Sequence, residues 1–295
     1  MTTAQAVVDS HIHFWDTHRF DYPWLQGCSE LNRPFVPADL EVGEVQIEAL
    51  VFIQANPVWD VVDQETAWVQ HLRGRDGRIQ ALVTGVPLDR GAAAVSASLE
   101  RLSHESGVAG VRQLIQDEPE GFALQPRFVD AVRLAAQFGL TVDLCVRSHQ
   151  MAEVTTLAEL CPEVVFVLDH LGKPDVAAGH WAGWLHDIKA MAQLDNVRCK
   201  LSGLTTEADE GTRGTDNIRR YLRAAVDAFG PDRCMFGSDW PNASLHITYA
   251  GWVSLVLDSV SDLGAREMDR VMRGTALEVY ARAWESSALT RGPLQ

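Results

Sequence analysis

The stretch VVDSHIHFWD, residues 7–16, starts as a short apolar strand and ends in two imidazoles one residue apart. Side chains at i and i+2 of a strand point to the same side, so His11 and His13 are expected to converge on one small volume. Working outward from there, similar β-branched runs recur at 49–54, 79–86, 108–114, 140–146, 164–169, 197–202 and 233–238, which with 7–12 makes eight expected strands. Between them, segments 63–75, 92–105, 126–139, 151–162, 184–194 and 217–230 repeat apolar residues near the helical period, and two more, 247–263 and 275–287, follow the last strand. Short strands alternating with helices imply parallel pairing through crossovers. Eight such units in a chain of 295 residues predict an α/β fold of the closed (β/α)8 TIM barrel type. A doubly wound sheet is the competing architecture, but neither GxGxxG nor GxxxxGK[ST] occurs. No linker or fixed-period repeat divides the chain, so residues 1–295 are expected to form a single domain.

Composition narrows the partners. With 46% apolar and 22% charged residues the chain is of ordinary globular type, and its net charge of -15 opposes a broad nucleic-acid surface or an anionic membrane as partner. The five cysteines form no CxxC pair, which favours free thiols in a reducing compartment. No signal-peptide pattern or run of about 20 apolar residues is present, so a cytoplasmic location is expected. The expected partner is a small molecule, with monomer and homo-oligomer both open.

In a barrel of this kind the carboxyl ends of the strands meet at one mouth. Those ends carry His11, His13, Gln54, Arg112, His170, Lys200, Ser202 and Asp239. Unpaired buried charge is costly, so this many polar strand ends imply a polar ligand. His11 and His13 suit a transition metal, with Asp239 completing a mixed nitrogen and oxygen set, or they are ordinary hydrogen-bonded histidines; Asp239 is otherwise a turn acid. Because Asp169 and His170 are adjacent, strand alternation puts them on opposite faces, with His170 expected inward and Asp169 toward the helices. Arg112 offers a planar fork for a carboxylate or carbonyl oxygen, or an ion pair with Asp143 or Asp9. Lys200 is one of only three lysines against 22 arginines; it orients a substrate oxygen or pairs with an acid. Trp15, Trp24, Trp59 and Trp240 fall just beyond strand ends and would ring the mouth with apolar surface. The long connection 14–39 is expected to wall the pocket with Trp15, Tyr22 and Trp24, while His149 and His246 are rim or surface residues.

The stretches DSHIHFWD (9–16), GVRQ (110–113), LDHLGKP (168–174), CKLSG (199–203) and FGSDWP (236–241) together resemble the amidohydrolase superfamily. Within it they resemble the amidohydrolase-related (amidohydrolase 2) branch and its lactonase-like group of sugar-lactone hydrolases and pyrone-dicarboxylate lactonases. The resemblance implies a distorted barrel that hydrolyses a lactone. It carries the family's first-strand pair onto His11 and His13, its mid-barrel histidine onto His170, its eighth-strand aspartate onto Asp239 and its substrate arginine onto Arg112. Members with two metals use a bridging carboxylated lysine or glutamate from strand four and histidines from strands five and six; here strand four has Arg112, and TVDLCV in strand five has no histidine. The implied cofactor is therefore one divalent ion, zinc or manganese, on His11, His13 and Asp239, or none. In the expected chemistry Asp239 takes a proton from water, while His11, His13 and either a metal or protonated His170 stabilise the oxyanion. Arg112, Gln54, Lys200, Ser202, Trp15 and Trp240 would bind a sugar-acid lactone such as a fucono-, rhamnono- or galactonolactone. The alternatives are a non-oxidative decarboxylase of an aromatic or unsaturated acid and a lactonase acting on a pyrone or muconolactone.

Overall fold

Eight parallel strands follow one another in sequence order around a barrel: β1 (Ala6–Ile12), β2 (Gln46–Ile53), β3 (Ile79–Gly85), β4 (Val108–Leu114), β5 (Thr141–Cys145), β6 (Phe166–Leu168), β7 (Val197–Leu201) and β8 (Cys234–Phe236). This is a computed structural model, and it describes residues 6–212 and 214–284. The seam between β8 and β1 is joined at the mouth, where Asp239 N donates to His11 O (2.8 Å) and His13 N to Trp240 O (2.8 Å). That pairing ties the first and last functional strand ends together.

Helices α1 (Val62–Arg73), α2 (Ala92–His104), α3 (Pro126–Gln137), α4 (Met151–Leu160), α5 (Trp181–Met191), α6 (Thr215–Phe229) and α7 (Tyr249–Ser259) surround the strands. In α6 the buried positions Ile218, Tyr221, Leu222, Ala225, Val226 and Phe229 recur every three or four residues and form one apolar stripe. The helix stops at Gly230, whose φ of 77° a side chain would resist. Two apolar compartments result. The larger lies between helices and barrel; the smaller fills the barrel with Val8, Val51, Val83, Val167 and Met235, plus Ala276, Tyr280 and Ala283 from the C-terminal region. That region consists of α8 (Ala265–Asp269), a π-helical turn and α9 (Thr275–Val279), and the last part of the helix expected at 275–287 lies outside the described residues.

Two expectations need correction. Strand alternation predicts Asp169 and His170 on opposite faces, but β6 ends at Leu168, and His170 and Leu171 take left-handed φ values of 53° and 55°. Alternation no longer applies past that break, so Asp169 enters the barrel interior with His170 instead of facing the helices. The connection 14–39 walls the cavity through Trp24 but not through Trp15 or Tyr22. Trp15 and Phe35 exchange backbone hydrogen bonds (3.0 and 2.8 Å), which closes the loop on itself, and Trp15, Tyr22, Leu25, Leu31 and Phe35 are buried within it. All five cysteines are unpaired, four of them buried and Cys28 half-buried. Among the described residues no helix is long and apolar enough to cross a membrane.

Candidate active site

At the mouth, His11 Nε2 and His13 Nε2 lie 3.1 Å apart. His13 Nδ1 donates to the Ile53 carbonyl (2.8 Å), which only accepts, so Nε2 is left as a bare lone pair. His11 Nδ1 lies 3.2 Å from Asp169 Oδ1. Lys200 Nζ lies 3.3 Å from His11 Nδ1 and 3.0 Å from Asp169 Oδ1, so His11 has two tautomers: with Nδ1 accepting from the ammonium, its Nε2–H donates to the bare His13 Nε2; with the Nδ1 proton turned to Asp169, its Nε2 is bare as well. In the second tautomer the two facing lone pairs repel unless a cation lies between them, so that form is the one suited to holding a metal ion. His170 Nδ1 pairs with Ser202 Oγ (2.8 Å), and Asp239 Oδ1 sits 3.6 Å from His13 Nε2 while accepting from Asn242 Nδ2 (3.1 Å). His11, His170 and Asp239 each present a ligand atom, all within 4.8 Å of one another. This nitrogen and oxygen set fits zinc or a similar divalent ion. The expected trio of His11, His13 and Asp239 is also close together, with His13 Nε2 3.1 Å from His11 Nε2 and 3.6 Å from Asp239 Oδ1, and His170 joins it.

Local backbone explains how these side chains meet. Among the described residues, the non-glycine residues with positive φ are Asn56, His170, Leu171, Lys173 and Asp239, and all but Leu171 line one cavity. Such conformations cost free energy and concentrate where the surroundings enforce them. Close approach does the rest: a Cβ on Gly203 would fall 2.4 Å from His170 Nδ1, and one on Gly237 would fall 2.8 Å from the Cβ of His11.

The electrostatics are set beneath the imidazoles. Asp169 Oδ2 accepts from Arg112 Nη1 (3.0 Å), its Oδ1 lies 3.0 Å from Lys200 Nζ, and Lys200 also bonds Asp143; all four side chains are buried. Burial pushes the Asp169 carboxyl up, but Lys200, His11 and Arg112 outweigh it and hold the group well below its usual range. Burial pushes Asp143 up to about 7 against the pull of Lys200. Burial also drives His170 down to about 4, against the opposing attraction of Asp239. His170 is therefore neutral near pH 7. At Asp239 burial acts upward, and His170, His13 and His11 more than offset it, so the carboxylate stays ionised.

The cavity measures about 450 Å³. His13, Arg112, His170 and Asp239 line it, and His11 lies just behind them. Gln54, Lys200, Ser202, Trp15 and Trp240 do not line it. Gln54 accepts from Asn56 N and Ser202 supports His170; Trp15 donates to Leu31 O and Arg33 O inside the loop, and Trp240 packs on Phe14 and Phe35. Trp24 supplies the aromatic wall instead, its Nε1 donating to Ala55 O (2.9 Å), and His246 reaches the rim. Gln116, Arg147, Lys173 and Glu207 also line the cavity and were not singled out as site residues. The scarcity of lysine, and Lys173 within LGKP, were the available signals; Glu207 lies in a turn-rich loop whose path no periodicity predicts.

A (β/α)8 barrel that gathers three imidazoles, a carboxylate and buried cations at its strand ends is the architecture of a hydrolase of the amidohydrolase superfamily. Residues 8–282 match the amidohydrolase family, and the chain belongs to it, in its amidohydrolase 2 branch. An L-fucono-1,5-lactonase of Burkholderia multivorans is 35% identical over 291 residues, covering 93% of this chain and 95% of that protein. A 2-pyrone-4,6-dicarboxylate hydrolase of Comamonas testosteroni is 30% identical over 260 residues, covering 81% and 78%. The crystal structure of an amidohydrolase from Burkholderia multivorans with bound zinc superposes with a TM-score of 0.80 at 32% identity, covering 94% of this chain and 99% of that one.

Proposed function

We propose that this chain opens a sugar-acid lactone by water attack on the ring carbonyl. One observation carries the reading: an ionised Asp239 stands within 4.8 Å of His11 and His170 and 3.6 Å from His13, at a cavity of about 450 Å³, a size suited to one small ring. The similarity to an L-fucono-1,5-lactonase supports the substrate class. Asp239 accepts the proton of the attacking water, which requires it within hydrogen-bonding reach of that water. The Ser202 hydroxyl can donate to or accept from His170 Nδ1, so His170 Nε2 can be presented either bare or as an N–H donor toward the developing oxyanion. A divalent ion held by His11, His170 and Asp239, with His13 beside it, would polarise the carbonyl and acidify water. Trp24 and Leu31 cover the ring from the loop side and exclude bulk water.

The test is a pH-indicator screen of sugar-acid lactones with the wild type and Asp239→Asn. Proton release on ring opening is expected, with a loss of about 10²–10⁴-fold in kcat for the variant and unimpaired binding of a non-hydrolysable lactam. Near-normal kcat in Asp239→Asn would remove its role as base. Carbon dioxide release from an aromatic acid without lactone opening would replace hydrolysis by decarboxylation.

A further inference from the structure

Among the described residues, each lysine or arginine on the cavity lining has a carboxylate near it. Arg112 Nη1 lies 3.0 Å from Asp169 Oδ2, Arg147 Nη2 lies 3.2 Å from Asp117 Oδ1, and Lys173 Nζ lies 3.8 Å from Glu207 Oε1. Arg112 also gives Nη2 to the Gln54 carbonyl. A ligand bearing two carboxylates must give up its hydration for compensating positive charge. This lining holds no such surplus.

The Lys173 pair differs from the other two. Its 3.8 Å separation is too long for a hydrogen bond. The ammonium instead donates to Gln116 Oε1 at 2.6 Å, and Gln116 is held in turn by Asp117 through its amide (3.2 Å). That leaves the ammonium with protons to give. Lys173 follows the left-handed turn at His170 and Leu171 and is itself left-handed (φ 46°), which aims it into the mouth beside His170. Glu207 comes from the loop after β7 and faces the same space, and both side chains are less than one-fifth exposed. The result is a fixed donor and a fixed acceptor, set side by side and not saturated by each other.

We infer that Lys173 and Glu207 form a hydroxyl-reading pair: the ammonium donates to one ring hydroxyl while the carboxylate accepts from its neighbour, selecting an uncharged, vicinally hydroxylated lactone over a carboxylated one. The inference rests on the lactone reading and narrows it. The test compares wild type, Lys173→Met, Glu207→Gln and the double variant on a polyhydroxylated six-membered lactone, on δ-valerolactone and on a pyrone dicarboxylate. For the hydroxylated ring, each single change lowers kcat/KM about 10- to 100-fold, and the double variant loses less than the product of the two. Turnover of δ-valerolactone stays within about twofold, which also shows that the variants fold, and the wild type prefers the hydroxylated ring to the dicarboxylate. Equal losses on both simple and hydroxylated lactones, or a preference for the dicarboxylate, would overturn the pair. Calorimetric binding of a polyhydroxylated lactam separates the two proposals. If no lactone is opened yet the lactam binds in a Lys173-dependent manner, hydrolysis falls and the pair stands; lactam binding indifferent to Lys173→Met removes the pair.

Discussion

Two lysine–carboxylate groupings sit at the carboxyl ends of the same barrel and differ mainly in depth. Lys200 is wholly buried and reaches both Asp143 and Asp169, while Lys173 opens on the cavity and stands 3.8 Å from Glu207. In the deep group every cation touches a carboxylate, and one of those carboxylates, Asp169, turns His11 by its Nδ1. Nothing from outside can compete there, so this group orients the site. In the shallow group donor and acceptor stand apart and open on the cavity, so a ligand can come between them. The difference teaches that a charged pair at a strand end acts as scaffold or as reader according to whether it is sealed beneath the cavity or opens on it.

The largest expected effect breaks the deep group. Lys200→Met leaves Asp143 and Asp169 without their shared cation, and breaking a buried ion pair costs about 3–5 kcal/mol. Arg112 still serves Asp169, and Asp143, already pushed up to about 7, can take a proton; both place the loss toward the lower end. Urea denaturation checks it. The cavity variant Lys173→Met should lose about 1 kcal/mol or less. Equal losses for the two lysines would abolish the distinction between them.

A smaller effect sharpens the orienting role. Asp169→Asn keeps the shape but weakens the acceptor beside His11 Nδ1, and a change in such a supporting partner typically lowers metal affinity about 10- to 100-fold. Zinc competition with a chromophoric chelator reads this without any turnover. Undiminished zinc affinity would show that Asp169 serves stability alone.

The sequence pattern located the eight strands because each is a β-branched run whose period the barrel preserves, and it located His11, His13, Arg112, His170 and Asp239 because strand ends are where such runs stop. It failed where the backbone leaves the strand. The orientation of Asp169 depends on left-handed residues at 170 and 171, and no propensity announces that conformation at a histidine and a leucine. Trp15 was placed on the mouth because it follows a strand end, yet a loop that pairs with itself through Phe35 draws it inward. Trp24, nine residues on, takes the exposed position. Glu207 and Lys173 meet only because two loops from neighbouring strands fold over the same cavity. Such proximity is tertiary information.

At pH 5, the smallest expected effect comes from another buried carboxylate, one that has no cation in contact. Glu65 in α1 accepts from Tyr22 OH (3.0 Å) and Ala55 N (3.3 Å), joining the loop 14–39 to the end of β2, where Ala55 O also accepts from Trp24 Nε1. Asp169 and Glu65 are equally hidden from water, yet Asp169 is held down by its cations and Glu65 is pushed by burial up to about 8. The sign follows from proton linkage. Between the ordinary glutamate pKa and about 8, the folded chain keeps a proton that the unfolded chain has released, so this group makes stability fall as pH rises through that window. Glu65→Gln mimics the protonated form. It should leave stability within about 1 kcal/mol at pH 5, and the variant should become the more stable of the two as pH approaches 8, measured by urea denaturation across the series. Parallel pH profiles for the two proteins would mean that Glu65 is ionised in the fold, and that contact with a cation is not what separates it from Asp169.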